Sequence, residues 1–270
     1  LNKNNYRIVI EYDGSHFHGW QKQSQVLSVQ EALEIAIHQA LHSTEISPLQ
    51  ASGRTDAGVH ARAQVVNFRT DLEINEYAFT HSVSSILKNK VAVLSIEKVS
   101  DDFHSLLSAT SRQYQYYILN RPATAVLDFG KAWHVPKPLN FDQLNIDAAA
   151  LIGKHDFSSF RGSGCLSKNP VKNVFESYWK QESGGMLVYT IRGKGFLKQM
   201  VRNIVGTLVR INHGKLKIKS MNEVIAAKDR TKAGITAPAC GLFLDYVSYG
   251  DWHSNSVMEC RGALSDMTKK

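Results

Sequence analysis

The chain has 270 residues, 43% hydrophobic and 21% charged, an ordinary globular composition with room for one large core or two moderate domains. No stretch approaches the roughly 20 apolar residues of a membrane span, and the polar start Leu1-Asn2-Lys3-Asn4-Asn5 runs straight into a strand pattern, so neither a membrane helix nor a signal peptide is expected. The net charge of +8 is lopsided: residues 1–110 carry nine Lys and Arg against twelve Asp and Glu, and residues 111–270 carry twenty-three against twelve. The second half would therefore draw a polyanion, although a merely solvated basic surface explains the charge equally well.

Tyr6, Ile8, Ile10 and Tyr12 alternate with Arg7, Val9, Glu11 and Asp13, which predicts a strand closed by the turn Asp13-Gly14-Ser15. Ser28 and Glu31 have capping-box spacing and open a helix to about His42, with Val29, Leu33, Ile37 and Leu41 on one face. A short strand near Leu49–Ser52, a Gly-punctuated loop from Gly53 to His60 and a strand over Gln64–Arg69 follow. A helix from about Asn75 to Leu87 and a strand at Val91–Val99 complete the first half.

After a join near Ser100–Ala109 the theme returns. Ser111–Leu119 is predicted as a strand, Phe141–Ile152 as a helix, and Val171–Gln181 with Met186–Arg192 as a hairpin around Ser183-Gly184-Gly185. Leu197, Met200, Val201, Ile204, Val205, Leu208 and Val209 form the sharpest helical stripe in the chain, with Gly214 just past its end. Lys198, Gln199, Arg202 and Asn203 fall beside that stripe, where a solvated face is the default reading. Ser220 and Glu223 cap a short helix, and Gly241–Ser248 is a last strand. The expected domains are 1–106, 107–250 and a loosely ordered tail over 251–270. Strands crossed by helices in each half give an α/β chain of the α+β kind, with the flavour of a ferredoxin-like split unit.

Cys165, Cys240 and Cys260 are odd in number and far apart, which fits neither a disulfide framework nor a zinc site and suits a reducing cytoplasm. No glycine-rich nucleotide-binding fingerprint or serine nucleophile elbow is present. His16 and His18 lack companions at metal-ligand spacing.

Three segments carry possible chemistry. In Gly53-Arg54-Thr55-Asp56-Ala57-Gly58-Val59-His60-Ala61 two glycines bracket a carboxylate that Arg54 would help keep ionised; as residue types alone, a tight turn with a surface ion pair explains it more simply. In Arg112-Gln113-Tyr114-Gln115-Tyr116-Tyr117 the rings of Tyr114 and Tyr116 share a strand face and suit base stacking, or else core filling. Arg202 reaches a cleft only on the less common reading of its helix.

Taken in order, several segments carry a family resemblance. They are Glu11-Tyr12-Asp13-Gly14 with Gly19-Trp20-Gln21, Ser28-Val29-Gln30-Glu31, Gly53–Ala61, Asp102-Phe103-His104, Arg112 with Tyr114 and Tyr116, Asp156-Phe157 with Ser159-Phe160-Arg161, Met200–Gly206, and Ala226-Ala227-Lys228-Asp229-Arg230. From about Tyr6 to Tyr249 the chain resembles the tRNA pseudouridine synthase A family, enzymes of the anticodon stem-loop. The resemblance implies a pseudouridine synthase fold: two ferredoxin-like halves in a mixed central sheet flanked by helices, with a basic cleft. It implies a cytoplasmic homodimer that acts on tRNA at positions 38–40, away from membranes. No cofactor or metal is implied, in keeping with an isomerisation that has no net redox change.

By resemblance Asp56 is the nucleophile, Tyr114 the tyrosine that packs on the target base and helps remove the C5 proton, and Arg202 the arginine paired with the catalytic carboxylate. Arg54 is implied in turning the target nucleotide out of its stem, and Phe103, His104, Arg161 and Lys168 are implied as further substrate contacts. The chain departs from the family at Ser105-Leu106-Leu107, where an arginine is usual and Leu106 stands in its place. Loop 162–169 matches a tRNA-contacting insertion in position more than in identity. Two rivals stay open: an RNA-binding protein with a dead site, and a glycosidase-like hydrolase that cuts the base–sugar bond without rejoining it, for which Asp56 lacks an evident carboxylate companion.

Overall fold

A computed structural model describes residues 3–43 and 45–257 and divides into two compact units, Leu1–Thr110 with Leu244–Lys270, and Ser111–Phe243. Residues 258–270, with Cys260 and most of the expected tail, lie outside the described residues.

The first unit begins with β1 (Asn4–Tyr12), α1 (Val29–Leu41), β2 (Gln50–Ala51), β3 (His60–Thr70), α2 (Glu76–Leu87) and β4 (Val91–Val99). The second holds β5 (Ser111–Leu119), β6 (Trp133–His134), α3 (Phe141–Ala149), β7 (Gly153–Asp156), β8 (Val171–Gln181), β9 (Met186–Gly193), α4 (Met200–Asn212) and α5 (Met221–Ala227). The chain then returns through β10 (Leu242–Tyr249) and β11 (Trp252–His253).

In the first unit the strands lie in the order β4-β1-β3-β10, with β2 beside β3 and β11 beside β10. β1 is antiparallel to both β3 and β4, so Ile8 stands opposite Val66 and Ile96. Ser28 Oγ accepts the Glu31 amide at 3.2 Å and starts α1, and Asn75 does the same for α2 through Ala78 at 2.9 Å. α2 packs on β4 and against α1, whose Val29, Leu33 and Ile37 are buried.

Alternation in β1 predicts one polar face, yet Val9 is fully buried and Arg7 nearly so. The connection after β4 covers that face. Asn5 Nδ2 donates to the carbonyls of Ser100 (2.9 Å) and Phe103 (3.0 Å), and the Ser105 amide donates to Asn67 Oδ1 at 2.9 Å. Burying the Arg7 guanidinium requires compensation, supplied by Glu97 at 2.6 Å and by the Trp252 ring 3.4 Å from its Cζ. Sequence pattern is weak after Gly250, but β11 pairs with β10 and the buried Ser254 exchanges hydrogen bonds with Val247 at 2.9 and 3.0 Å.

In the second unit the order is β5-β9-β8-β7, antiparallel throughout, with β6 added parallel to β5. α3 packs on β8, and α3, α4 and α5 pack on one another. α4 is shorter than its stripe predicts. Gln199 takes φ +59°, a left-handed conformation, so Leu197, Lys198 and Gln199 precede the helix rather than forming its first turn. Leu197 is still buried, and Gly214 closes the helix as expected with φ +66°. Mostly antiparallel sheets with packed helices make each unit α+β. Among the described residues no helix is long and apolar enough to cross a membrane.

Candidate active site

Asp56 is half-buried on the loop between β2 and β3, and its own carbonyl accepts the Val59 amide at 3.1 Å. That tight turn needs Gly58, whose φ of +77° a side chain would strain. The segment from Tyr12 to Trp20 holds the loop on several sides. Tyr12 and Thr55 join hydroxyls at 2.8 Å, the Trp20 amide donates to the Thr55 carbonyl at 3.1 Å, and the Gly14 amide donates to His60 Nδ1 at 3.0 Å. On the far side Gln64 Nε2 donates to the Gly53 carbonyl at 2.8 Å. The residues flanking Asp56 are therefore fixed through backbone and buried hydroxyl contacts. Arg54 is exposed.

Two close approaches complete the support. A Cβ at Gly14 would lie 2.0 Å from the Val59 carbonyl oxygen, and one at Gly19 (φ +93°) 2.8 Å from that of Thr55. Gly14→Ala is expected to push the loop away from β1 and destabilise the chain by about 3 kcal/mol, a substantial fall in thermal midpoint. An unchanged melting curve would show that the loop yields freely and is not held by this segment.

In the second unit Tyr114 and Tyr116 share a face of β5 opposite Ile191 and Tyr189. Tyr116 is core: it is fully buried and its hydroxyl donates to the Pro238 carbonyl at 2.8 Å. Burial pushes its hydroxyl well above the usual tyrosine pKa, opposed in part by the positive charge of Arg202. Tyr114 meets the Phe196 ring edge-on at 5.3 Å between centroids. Arg202, half-buried in the first turn of α4, donates from Nε to the Ala237 carbonyl at 2.8 Å and accepts the Ala237 amide at its own carbonyl at 3.1 Å. Asn203, expected on a solvated face, is instead fully buried, with Nδ2 on the Phe160 carbonyl at 2.9 Å and Oδ1 accepting from Arg230 and Thr236 at 3.1 and 2.6 Å. A buried amide needs such partners, and the segment after α5 brings them.

The remaining predicted residues are placed as follows. Arg161 Nη2 donates to the carbonyls of Cys165 (2.9 Å) and Ser167 (2.8 Å) and so braces loop 162–169, on which Lys168 is exposed. In the first unit Phe103 lies 5.0 Å from Tyr249 and 5.3 Å from the Arg7 Cζ, and half-buried His104 accepts the Leu106 amide at Nδ1 (3.1 Å). Leu106, where an arginine is usual, is exposed. Asp56 and Arg54 thus share one loop of the first unit, while Tyr114, Tyr116 and Arg202 share a neighbourhood of the second.

Sequence reasoning missed one basic feature. A cavity of about 340 Å³ in the second unit is lined by Lys154, Lys172 and Lys194 with Val171, Asn173 and Gly195. Lys154 stands opposite Asn173 in the β7–β8 ladder, and the Lys194 amide donates to the Asn173 carbonyl at 3.2 Å, so three distant lysines converge through strand pairing. Lys172 Nζ also reaches Ser167 Oγ at 3.3 Å, which links the cavity to the Lys168 loop.

Comparison with known proteins brings the two units under one description. A family model described as tRNA pseudouridine synthase matches residues 8–106 and 148–250. The chain is 42% identical over 248 residues to tRNA pseudouridine synthase A of Anaplasma marginale (strain St. Maries), covering 90% of this chain and 99% of that protein. It is 39% identical over 245 residues to tRNA pseudouridine synthase A of Thermoanaerobacter sp. (strain X514), covering 91% and 99%. To the protein of that name from Pseudoalteromonas atlantica it is 40% identical over 240 residues, covering 89% and 90%.

Proposed function

The chain belongs to the tRNA pseudouridine synthase family and is an isomerase, and on that premise we propose that it converts uridine to pseudouridine in the tRNA anticodon stem-loop with Asp56 as nucleophile. The observation that carries the reading is the match of one family model to segments of both units, the first of which contains the Asp56 loop. In the proposed reaction Asp56 attacks either C6 of the base or C1′ of the sugar. The N1–C1′ bond breaks, the base turns, a C5–C1′ bond forms, the bond to Asp56 breaks to return its carboxylate, and a proton leaves C5 while N1 gains one.

A stacked uridine is out of reach until it is flipped. Arg54 is assigned to that step. Tyr114 is assigned to stacking on the flipped base and to helping remove the C5 proton. Arg202 is assigned to pairing with the nucleophilic carboxylate. Phe103, His104, Arg161 and Lys168 remain proposed substrate contacts, on a fold of two ferredoxin-like halves. A homodimer working in the cytoplasm belongs to the same proposal. Mapping pseudouridine with carbodiimide and primer extension on tRNA treated with the chain tests the location: modification confined to the anticodon stem-loop is expected, and modification elsewhere contradicts it.

The lysine cavity supports affinity for the RNA backbone. Replacing Lys154, Lys172 and Lys194 together with Ala is expected to weaken tRNA binding about tenfold and to flatten the dependence of log Kd on log salt by about two units. Lys168→Ala, at a single proposed phosphate contact, should flatten it by about one. Unchanged Kd and slope in the triple variant would remove the cavity from the RNA surface.

A further inference from the structure

Gly234 to Pro238 lies along α4 as a strap held at almost every residue. The Gly234 amide donates to Thr207 Oγ1 at 2.9 Å, and its carbonyl accepts from Arg230 Nη1 at 2.8 Å. Thr236 Oγ1 donates to Asn203 Oδ1 at 2.6 Å and accepts from Arg230 Nη2 at 3.3 Å, and the Pro238 carbonyl receives the Tyr116 hydroxyl. The strap also lies very close to the helix, since a Cβ at Gly206 would fall 1.8 Å from the Ile235 carbonyl oxygen. Among these fixed points sits Ala237, wholly buried, whose carbonyl receives Arg202 Nε and whose amide returns a bond to the Arg202 carbonyl.

A guanidinium on a flexible stem gains direction only when one of its nitrogens is held. Here the holder is a main-chain carbonyl that has no freedom of its own. We propose that Arg230, Asn203 and Thr236 are positioning residues for the isomerisation, which aim the Arg202 guanidinium by locking the Ala237 carbonyl. Asn203 is the hub. Its amide nitrogen is anchored on the Phe160 carbonyl, its Oδ1 collects both Arg230 and Thr236, and its own carbonyl accepts Thr207 Oγ1 at 2.6 Å. Burial lowers the Arg230 pKa from its usual value, because loss of solvent disfavours the charged guanidinium. The inference rests on the proposed role of Arg202 and adds to it the residues that hold that side chain.

Thr236→Val keeps the shape and removes the hydroxyl. Single-turnover rate with saturating enzyme, tRNA Kd and thermal midpoint are measured on one preparation. The rate is expected to fall about tenfold, with Kd within about twofold, and Thr236→Ser should restore it to within about twofold. Decisive evidence comes from the Arg202→Lys background, where a carbon replaces Nε and the strap has nothing to aim. There Thr236→Val should cost less than about twofold more, the non-additivity of two changes on one route. If Thr236→Val does not fold, Arg230→Gln serves in the same comparison. A wild-type rate in the variant, or the same tenfold loss in both backgrounds, overturns the inference while leaving the isomerase reading intact. An inactive parent chain would overturn that reading, and the inference with it.

Discussion

Asp56→Ala is expected to form no detectable pseudouridine while binding tRNA within a few-fold of the parent chain. The two effects separate because they come from different parts of the molecule. In the proposed function affinity arises mainly from phosphates, which the net positive charge of residues 111–270 would attract. The proposed chemistry depends on one carboxylate acting on a nucleotide already turned out of its stem, and a missing nucleophile has no substitute. The fold should survive, since the turn is closed by the Asp56 main chain and its neighbours are anchored at Thr55, His60 and Gly53. Filter binding and nucleoside analysis on one preparation check both halves. Retained product would end the assignment of Asp56; lost binding would mean that the carboxylate shapes the RNA surface.

Arg202→Met should cost most of the activity, on the order of a hundredfold or more in the single-turnover rate, with a near-native melting curve. Methionine roughly keeps the apolar stem of this half-buried residue but deletes both the charge and the bond to the Ala237 carbonyl. Arg202→Lys should recover only part, because an ammonium restores charge without the planar fork. Normal activity in folded Arg202→Met would reduce this residue to an ordinary helix arginine.

Periodicity made much of the fold legible. The β5 boundaries Ser111–Leu119 and the β4 boundaries Val91–Val99 are those predicted, and the caps Ser28, Asn75 and Ser220 start their helices. β6, β7 and β11, at two to four residues each, are too short for a period and are created by their partners. Polar residues beside a helical stripe mislead when a later segment folds over them, as the strap does over Asn203. The start of α4 was hidden because nothing in Lys198-Gln199 forbids a helix; the left-handed Gln199 is imposed by tertiary contacts, among them the Lys198 carbonyl accepting the Gly162 amide at 2.9 Å. As for the site, Asp56 stood out between its glycines, but only a family resemblance gave it a chemistry. The lysine cavity and the Arg230–Asn203–Thr236 cluster join residues distant in sequence and had no local pattern to betray them.

The most direct test of the central claim uses tRNA carrying tritium at C5 of uridine. Isomerisation through C5 must release that hydrogen to water, whereas binding alone leaves it in place, and a glycosidase would leave an abasic site with tritium still on the freed base. Wild-type chain should release tritium in step with pseudouridine formed, mole for mole, while Asp56→Ala releases none. No release from tRNA by the folded wild-type chain, or release that persists without the Asp56 carboxylate, would contradict the account.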